Sequence, residues 1–117
     1  MKELTSHKIN ECNGSLTVEA VDDPGSGGAH HYYTIAFPAG KISVPFQNGP
    51  IKEVGVNGIT NEALLAIVLD RLEGFQGGPY KCRENALALT KIEEAMHWLS
   101  HRTRLREQRG VEGTHAV

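Results

Sequence analysis

The residues best suited to chemistry are four arginines close to the C-terminus, between Arg102 and Arg109. Arg102 and Arg106 are four residues apart, so they share a helix face, and Arg109 follows about one turn later. Arg104 points elsewhere. Guanidinium groups bind phosphate in a bidentate geometry, and a phosphorylated ligand would relieve the repulsion between these like charges. The alternative is a solvated helix end, where cations also suit the helix dipole.

An aromatic residue and an amide residue are further candidates for ligand binding. Phe75 stands among glycines in a predicted loop ahead of Pro79. An aromatic ring there is either a plug in the core or a platform on which a base stacks. Asn85 interrupts the apolar stripe of a predicted helix. Its amide can bind the edge of an adenine, or it can cap a helix or bridge the two helices. The residues alone do not decide between the alternatives for Phe75 or for Asn85.

The histidines and cysteines do not form a recognisable metal or catalytic motif. His97 and His101 have the spacing of helical metal ligands, but a catalytic zinc site needs a third ligand. Cys12 and Cys82 lie far apart, and we expect both to be reduced, with Cys82 buried. The sequence also lacks an evident general acid and base. These residues therefore offer no motif for a metal site or for catalysis, and we expect no metal and no cofactor.

The charge is unevenly distributed along the 117 residues, whose net charge is −2. Residues 1–80 carry five Lys or Arg against nine Asp or Glu, whereas residues 81–117 carry seven against five. The acidic first part would repel a long nucleic acid but not a small anion in a closed pocket. No apolar run approaches the roughly 18 residues of a membrane helix. The N-terminus also lacks the apolar segment of a signal peptide. We expect a cytoplasmic protein without nucleic-acid or membrane partners.

The elements that must position these residues change character in the middle of the chain. The first half has strand patterns at Leu16–Val21, Tyr32–Phe37 and Ile42–Phe46. Pro45 cannot donate a ladder hydrogen bond, so this segment is either an edge strand or the end of a strand. Ile51–Val56 is predicted as a last short strand. These segments predict a small antiparallel β meander.

The second half has the period of helices. Thr60 or Asn61 caps a helix that runs to about Glu73, with Gly74 at its end. A second helix follows from about Tyr80 to Glu107 or Arg109, and the short connector makes the pair antiparallel. The predicted apolar stripes are Leu64, Leu65, Val68 and Leu72 on the first helix, and Leu89, Ile92, Met96 and Leu99 on the second.

Together the two halves predict an α+β fold in a single domain over residues 1–117. A β region occupies about residues 15–57, and an antiparallel αα-hairpin about residues 60–109. A tail without helical period follows over residues 110–117. The predicted ligand-binding residues all lie in the hairpin and the tail.

Several segments of the second half resemble one bacteriophage family. They are Thr60–Ile67, Gly74–Ala86, Arg102–Arg104 and Arg109–His115. The family is that of the Thoeris anti-defence sponges, which shares a helical-hairpin domain with the anti-CBASS sponges. The resemblance covers about residues 47–115 and joins a loop, a helix face and a tail in fixed order.

The resemblance implies a protein that sequesters a signal without cleaving it. The signal is a glycocyclic isomer of cyclic ADP-ribose, made by a bacterial TIR-domain protein, and its capture keeps the downstream effector silent. Some members of the family also hold cyclic trinucleotides from CBASS defence in separate pockets. Members assemble as dimers or as hexamers built from dimers. We therefore expect a homo-oligomer that works in the cytoplasm of the infected bacterium.

The resemblance also implies which residues bind the ligand: Phe75, Asn85, Arg102, Arg106, Arg109 and Thr114. Phe75 matches an aromatic residue that stacks on the ligand, and Asn85 matches an asparagine that lines the pocket. Arg102 and Arg106 match arginines that meet the phosphates. The last two residues belong to the matching tail motif.

Two other function classes remain as alternatives. The first is a phosphodiesterase that opens the same signals. The second is a nucleic-acid-binding or adaptor hairpin that uses the arginines on a phosphate backbone, and its binding should weaken steeply with salt.

Overall fold

A computed structural model describes residues 1–116. Val117, the last residue of the predicted tail 110–117, lies outside the described residues. The chain divides into two compact units. The first contains Met1–Gly49 and Val54–Ile59, and the second contains Pro50–Glu53 and the chain from Thr60. The single domain over residues 1–117 stays a prediction.

The first unit is built on a four-stranded antiparallel sheet, with its strands in chain order. The sheet confirms the predicted β meander, and the last strand lies at an edge, as its proline allows. The first strand and a short helix after it were not predicted, because three or four residues are too few to show a period. In chain order, the elements of this unit are β1 (Lys2–Leu4), α1 (Glu11–Gly14), β2 (Thr17–Ala20), β3 (Tyr32–Phe37) and β4 (Gly40–Pro45).

The apolar residues of the sheet fall on one face, because residues two apart along a strand share a face. Val18 pairs with Ile35, which in turn pairs with Ile42. Ala20 and Val44 lie on the same face and are buried. The sheet therefore has one apolar face, with its buried residues at one end.

Asp22 organises the loop between β2 and β3. Its carboxylate accepts the backbone N–H groups of His31 at 2.9 Å and Tyr32 at 3.1 Å. His31 is buried, and its ring Nε2 lies 2.9 Å from the carbonyl oxygen of Ser26. The hydrogen bond from His31 lowers the pKa of the Asp22 carboxyl below its usual 3.8; the bond from Tyr32 acts in the same direction, against the opposing effect of desolvation.

We expect Asp22→Asn to destabilise the protein at pH 7 but not at low pH. A carboxyl whose pKa is lowered by folding adds stability above its unfolded pKa, and this stability is lost as the pH falls through the folded value. Thermal unfolding at pH 7, 5 and 3 gives the Tm of the variant and of the wild type. The difference between these Tm values should shrink below about pH 4. The exposed neighbour Asp23→Asn is the matched control. A Tm difference that is equal at pH 7 and pH 3 would contradict the lowered pKa of Asp22.

The prediction of a strand over Ile51–Val56 is wrong. The segment contains the short helix α2 (Ile51–Val54). Pro50 precedes it, and the fixed φ of proline suits the start of a helix. Gly55 follows with a φ of +74°, the left-handed conformation in which helices commonly end. These two flanking residues decide the local structure against the β-branched composition of the segment.

The second unit contains the predicted antiparallel hairpin, α3 (Asn61–Gln76) and α4 (Arg83–Gln108). Thr60 caps α3 as predicted, since its hydroxyl oxygen accepts the N–H of Ala63 at 3.1 Å. On α4 the predicted apolar stripe is half-buried. None of the residues of either helix is buried.

The end of α3 differs from the prediction. Gly74 does not end the helix, and Phe75 lies in its last turn rather than in a loop. A glycine inside a helix costs only about 1 kcal/mol, which the surrounding contacts offset. The side-chain oxygen of Gln76 accepts the N–H of Cys82 at 3.0 Å, and this bond spans the connector. Cys82 caps α4 and is exposed, so the prediction that it is buried is also wrong.

The contact face of α3 is displaced from the predicted stripe. Leu65 and Leu72 are half-buried as expected, and Leu69 joins them. Leu64 and Val68 are exposed instead. The contact face of α3 therefore runs from Leu65 in steps of four and three residues. The apolar side chains of Leu64 and Val68 lie outside this face and are exposed to solvent. Within residues 1–116, none of the helices is long and apolar enough to cross a membrane.

Candidate functional site

The C-terminal part of α4 carries a surface groove of about 440 Å³. Its lining residues follow one another by one or three positions, so they lie along one side of the helix. Three of them are the predicted Arg102, Arg106 and Arg109, which the structure brings together. The full lining is Trp98, His101, Arg102, Leu105, Arg106 and Arg109.

Arg102 and Arg109 give this groove its positive charge. Both are exposed. Within residues 1–116, neither guanidinium has a carboxylate within 4 Å. Two cations held on one helix side without counter-charges repel each other, and an anion placed between them relieves that repulsion. The groove is therefore suited to a phosphate-bearing ligand.

Arg106 has a different environment from the other two arginines. Its side chain is 12% exposed, and its Nε donates to the Glu112 carboxylate at 3.1 Å. Its Nη1 donates to the carbonyl oxygen of Ala116 at 2.7 Å. Its Nη2 donates to the carbonyl oxygens of Val111 at 3.1 Å and Thr114 at 3.2 Å. Arg106 lines the groove, but most of its donors hold the tail.

The tail leaves α4 through a helix-ending motif that glycine makes possible. Gly110 has a φ of +72°, and its N–H donates to the carbonyl oxygen of Glu107 at 3.0 Å. The N–H of Val111 donates to the carbonyl oxygen of Arg106 at 3.1 Å, which completes a Schellman motif. The hydroxyl of Thr114 donates to the carbonyl oxygen of Val111. The predicted site residue Thr114 therefore helps to fold the tail.

The folded tail also contacts α2 within the second unit. The N–H of Lys52 donates to the carbonyl oxygen of Gly113 at 3.0 Å. Nδ1 of His115 lies 3.1 Å from the Glu53 carboxylate. These contacts explain why residues 50–53 group with the helices rather than with the sheet. Nothing in the helical spacing indicated them, because they join segments about 60 residues apart.

Phe75 and Asn85 lie at the connector end of the hairpin. The guanidinium carbon of Arg71 is 5.1 Å from the centre of the Phe75 ring, a cation–π distance. The Tyr80 ring lies 6.4 Å from the same ring at an angle of 58°. The N–H of Asn85 donates to Sγ of Cys82 at 3.4 Å, and within residues 1–116 its side-chain amide makes no hydrogen bond. This end thus offers an aromatic cluster with an amide beside it.

The two groups of predicted site residues are far apart in one chain. Asn85 and Arg102 both belong to the continuous helix α4. At 1.5 Å per residue, the helix separates them by about 25 Å. Phe75 lies at the same end as Asn85, because the connector between α3 and α4 is short. One small ligand cannot reach both groups within a single chain.

The histidines on α4 form an aromatic cluster around a tryptophan. The rings of His97 and His101 are parallel within 9°, with centres 6.4 Å apart. Each contacts the Trp98 indole at a steep angle, with centres 5.4 Å and 5.8 Å away. Among residues 1–116, no three potential metal-ligating side chains lie close enough together to hold an ion.

The chain is similar to known proteins over the hairpin and over most of its length. A family model described as the Acb2/Tad1 hairpin domain matches residues 41–104. The chain is 52% identical over 103 residues to a protein of Bacillus phage SBSphiJ7 named "Thoeris anti-defense 1". That match spans 87% of this chain and 72% of the phage protein. The region of the family model includes Phe75, Asn85 and Arg102.

Proposed function

Because the chain belongs to the Acb2/Tad1 hairpin-domain family, we propose that it counters bacterial Thoeris defence by sequestering a cyclic nucleotide signal without cleaving it. The name of the phage relative supports an anti-defence role. The finer proposal names the ligand, a glycocyclic isomer of cyclic ADP-ribose. The proposed setting is the cytoplasm of the infected host, where a TIR-domain protein makes such a signal.

The observation that carries this proposal is the pair of free arginines in the α4 groove. The proposed ligand contains a diphosphate, and Arg102 and Arg109 can each donate two parallel hydrogen bonds to it. Charge-assisted bonds of this kind contribute about 1.5–3 kcal/mol each. Nanomolar capture needs about 12 kcal/mol, so several such bonds must combine with stacking of the base.

The 25 Å separation of the predicted residues supports a site shared by two chains. If two hairpins pack antiparallel, the connector end of one chain meets the arginine end of the other. Phe75 and Asn85 of one protomer would then face Arg102 of its partner. A two-fold dimer built in this way has two equivalent sites. We propose this dimer as the binding unit, and a hexamer as a further assembly of such dimers.

Exposed apolar side chains on both helices support the same assembly. Ile67 and Val68 on α3 and Leu87 on α4 are all exposed. Apolar groups that a single chain leaves open commonly mark protein–protein contacts. Small domains with modest cores also gain stability by association. A second copy of the chain would cover these groups and exclude water from the shared site.

The lining of the groove favours binding over hydrolysis. It consists of three arginines, one histidine and two apolar residues. Hydrolysis of a phosphodiester needs both a general base and a general acid placed at the reacting atoms. A groove lined in this way can hold a diphosphate electrostatically, and within residues 1–116 its lining contains no carboxylate.

The deciding experiment separates capture from cleavage. The protein is incubated with glycocyclic ADP-ribose at a molar excess of protein, filtered to remove free ligand, and heat-denatured. Mass spectrometry of the supernatant should recover the intact ligand. Recovery of a hydrolysed product would instead identify a phosphodiesterase.

Two arginine variants are the controls for this experiment. Arg102→Ala should retain less ligand, and Arg104→Ala, at an exposed position, should retain as much as the wild type. The same assay with a cyclic trinucleotide tests whether the protein also captures this second class of signal.

A further inference from the structure

The groove also contains a tryptophan, Trp98, which the arginine pattern did not indicate. Its indole is 64% exposed although it is among the largest apolar side chains of the chain. It lines the groove together with Arg102, which follows it by four residues. On a helix this spacing places the two side chains on one side, about 6 Å apart along the axis.

We propose that Trp98 stacks on the base of a bound nucleotide at the arginine end of the hairpin, on the face of the base opposite the partner's Phe75. The inference rests on the proposed function and deepens it by naming a residue that recognises the base. Within a nucleotide, a base and its phosphates are separated by one ribose. A separation of about one helical turn therefore lets one ligand place its phosphate on Arg102 and its base on Trp98.

The surroundings of Trp98 hold the ring in place before a ligand arrives. The imidazoles of His97 and His101 meet the indole at 73° and 82°. These contacts restrict the rotamers of Trp98 and so lower the entropy that binding would otherwise cost. An indole that is restrained but still exposed is suited to stacking, and stacking is sequence-tolerant because every base has a π-face.

The charge of the groove favours an anionic aromatic occupant over a purely apolar one. Arg102 follows the exposed indole by about one turn, and Arg109 lies beyond Leu105 on the same side of the helix. An apolar partner surface would have to desolvate two arginines without supplying counter-charges, which is costly. A base-bearing diphosphate satisfies the arginines and the indole at once.

The chain contains a single tryptophan, so its fluorescence reports on this groove alone. Glycocyclic ADP-ribose should change the emission of Trp98 on binding, whereas inorganic pyrophosphate, which has no base, should not. Calorimetry gives the affinity independently. Trp98→Leu should weaken binding of glycocyclic ADP-ribose by about 10- to 100-fold, and Trp98→Phe, which keeps an aromatic face, should lose much less.

The outcomes separate this inference from the proposed function. If the wild type binds the ligand in calorimetry but its emission does not change, the role of Trp98 is overturned. The same holds if Trp98→Leu binds with wild-type affinity. Either result would leave the capture of the signal intact. A Trp98→Leu protein that loses its oligomeric state on a sizing column would show instead that the indole is a subunit contact. If the wild type binds no ligand, the proposed function fails, and this inference fails with it.

Discussion

Heterodimers with Phe75→Ala in one chain and Arg102→Ala in the other are expected to keep one ligand site of wild-type affinity per dimer. Each variant as a homodimer should lose about 10- to 100-fold in affinity, because it removes stacking or a charge-assisted phosphate contact from every site. In the heterodimer both substitutions fall in one shared site, so the other site keeps its native Phe75 and Arg102. The expectation follows from the separation of about 25 Å between Asn85 and Arg102 along α4.

The experiment co-expresses the two variants with different affinity tags and purifies the heterodimer through both. Calorimetry should find half the wild-type number of sites, with wild-type affinity. The matched control is a heterodimer of the double variant Phe75→Ala/Arg102→Ala with the wild-type chain, in which each shared site carries one substitution. If each site lay within one chain, the two heterodimers would exchange their results, and the shared site would be disproved.

Arg106→Ala is expected to destabilise the second unit strongly. The Arg106 side chain is 12% exposed, pairs with Glu112 and donates to three tail carbonyl groups. Removing it leaves these acceptors and a carboxylate without their partner, which should cost about 2–4 kcal/mol. For a domain of this size that is about 8–15 °C in Tm. The tail from Val111 should lose its fold before the helices do.

Thermal unfolding and hydrogen exchange of the tail amides measure this effect. The matched control is Arg104→Ala, which removes the same side chain from an exposed position and should change Tm by no more than a degree or two. Glu112→Gln keeps an acceptor oxygen but removes the charge, so it should lower Tm by less than Arg106→Ala does. An Arg106→Ala protein as stable as the Arg104→Ala control would refute the anchoring role. The part that Arg106 plays in phosphate binding stays a prediction, and the same variants can be titrated with ligand below their Tm.

The regular elements were predictable because their signals are local. The aromatic and β-branched residues of Tyr32–Phe37 identified β3, and the cap at Thr60 identified the start of α3. The stripe of apolar residues on α4 marked the side that meets α3. Each of these signals depends on residues within a few positions of one another. Local sequence therefore accounts for the β meander and for the antiparallel hairpin.

The ends of the elements were harder to predict, because neighbouring groups decide them. The prediction ended α3 at Gly74, whereas Gln76 extends the helix and bonds to Cys82 across the connector. Ile51–Val56 has the composition of a strand, yet Pro50 and Gly55 confine its first residues to a helical turn. In both cases a specific contact or backbone restriction outweighs a propensity of about 1 kcal/mol or less.

The sequence by itself determined the chemistry of this protein, a cluster of arginines on one helix with an aromatic and an amide residue at a fixed distance along the chain. Only the tertiary structure decided what each arginine contacts. Arg106 is drawn to Glu112 and the tail carbonyl groups, whereas Arg102 and Arg109 are left to the groove beside Trp98. The reason is that helical spacing fixes which residues share a side of α4, but the path of the tail after Gly110 decides which of them meets a counter-charge.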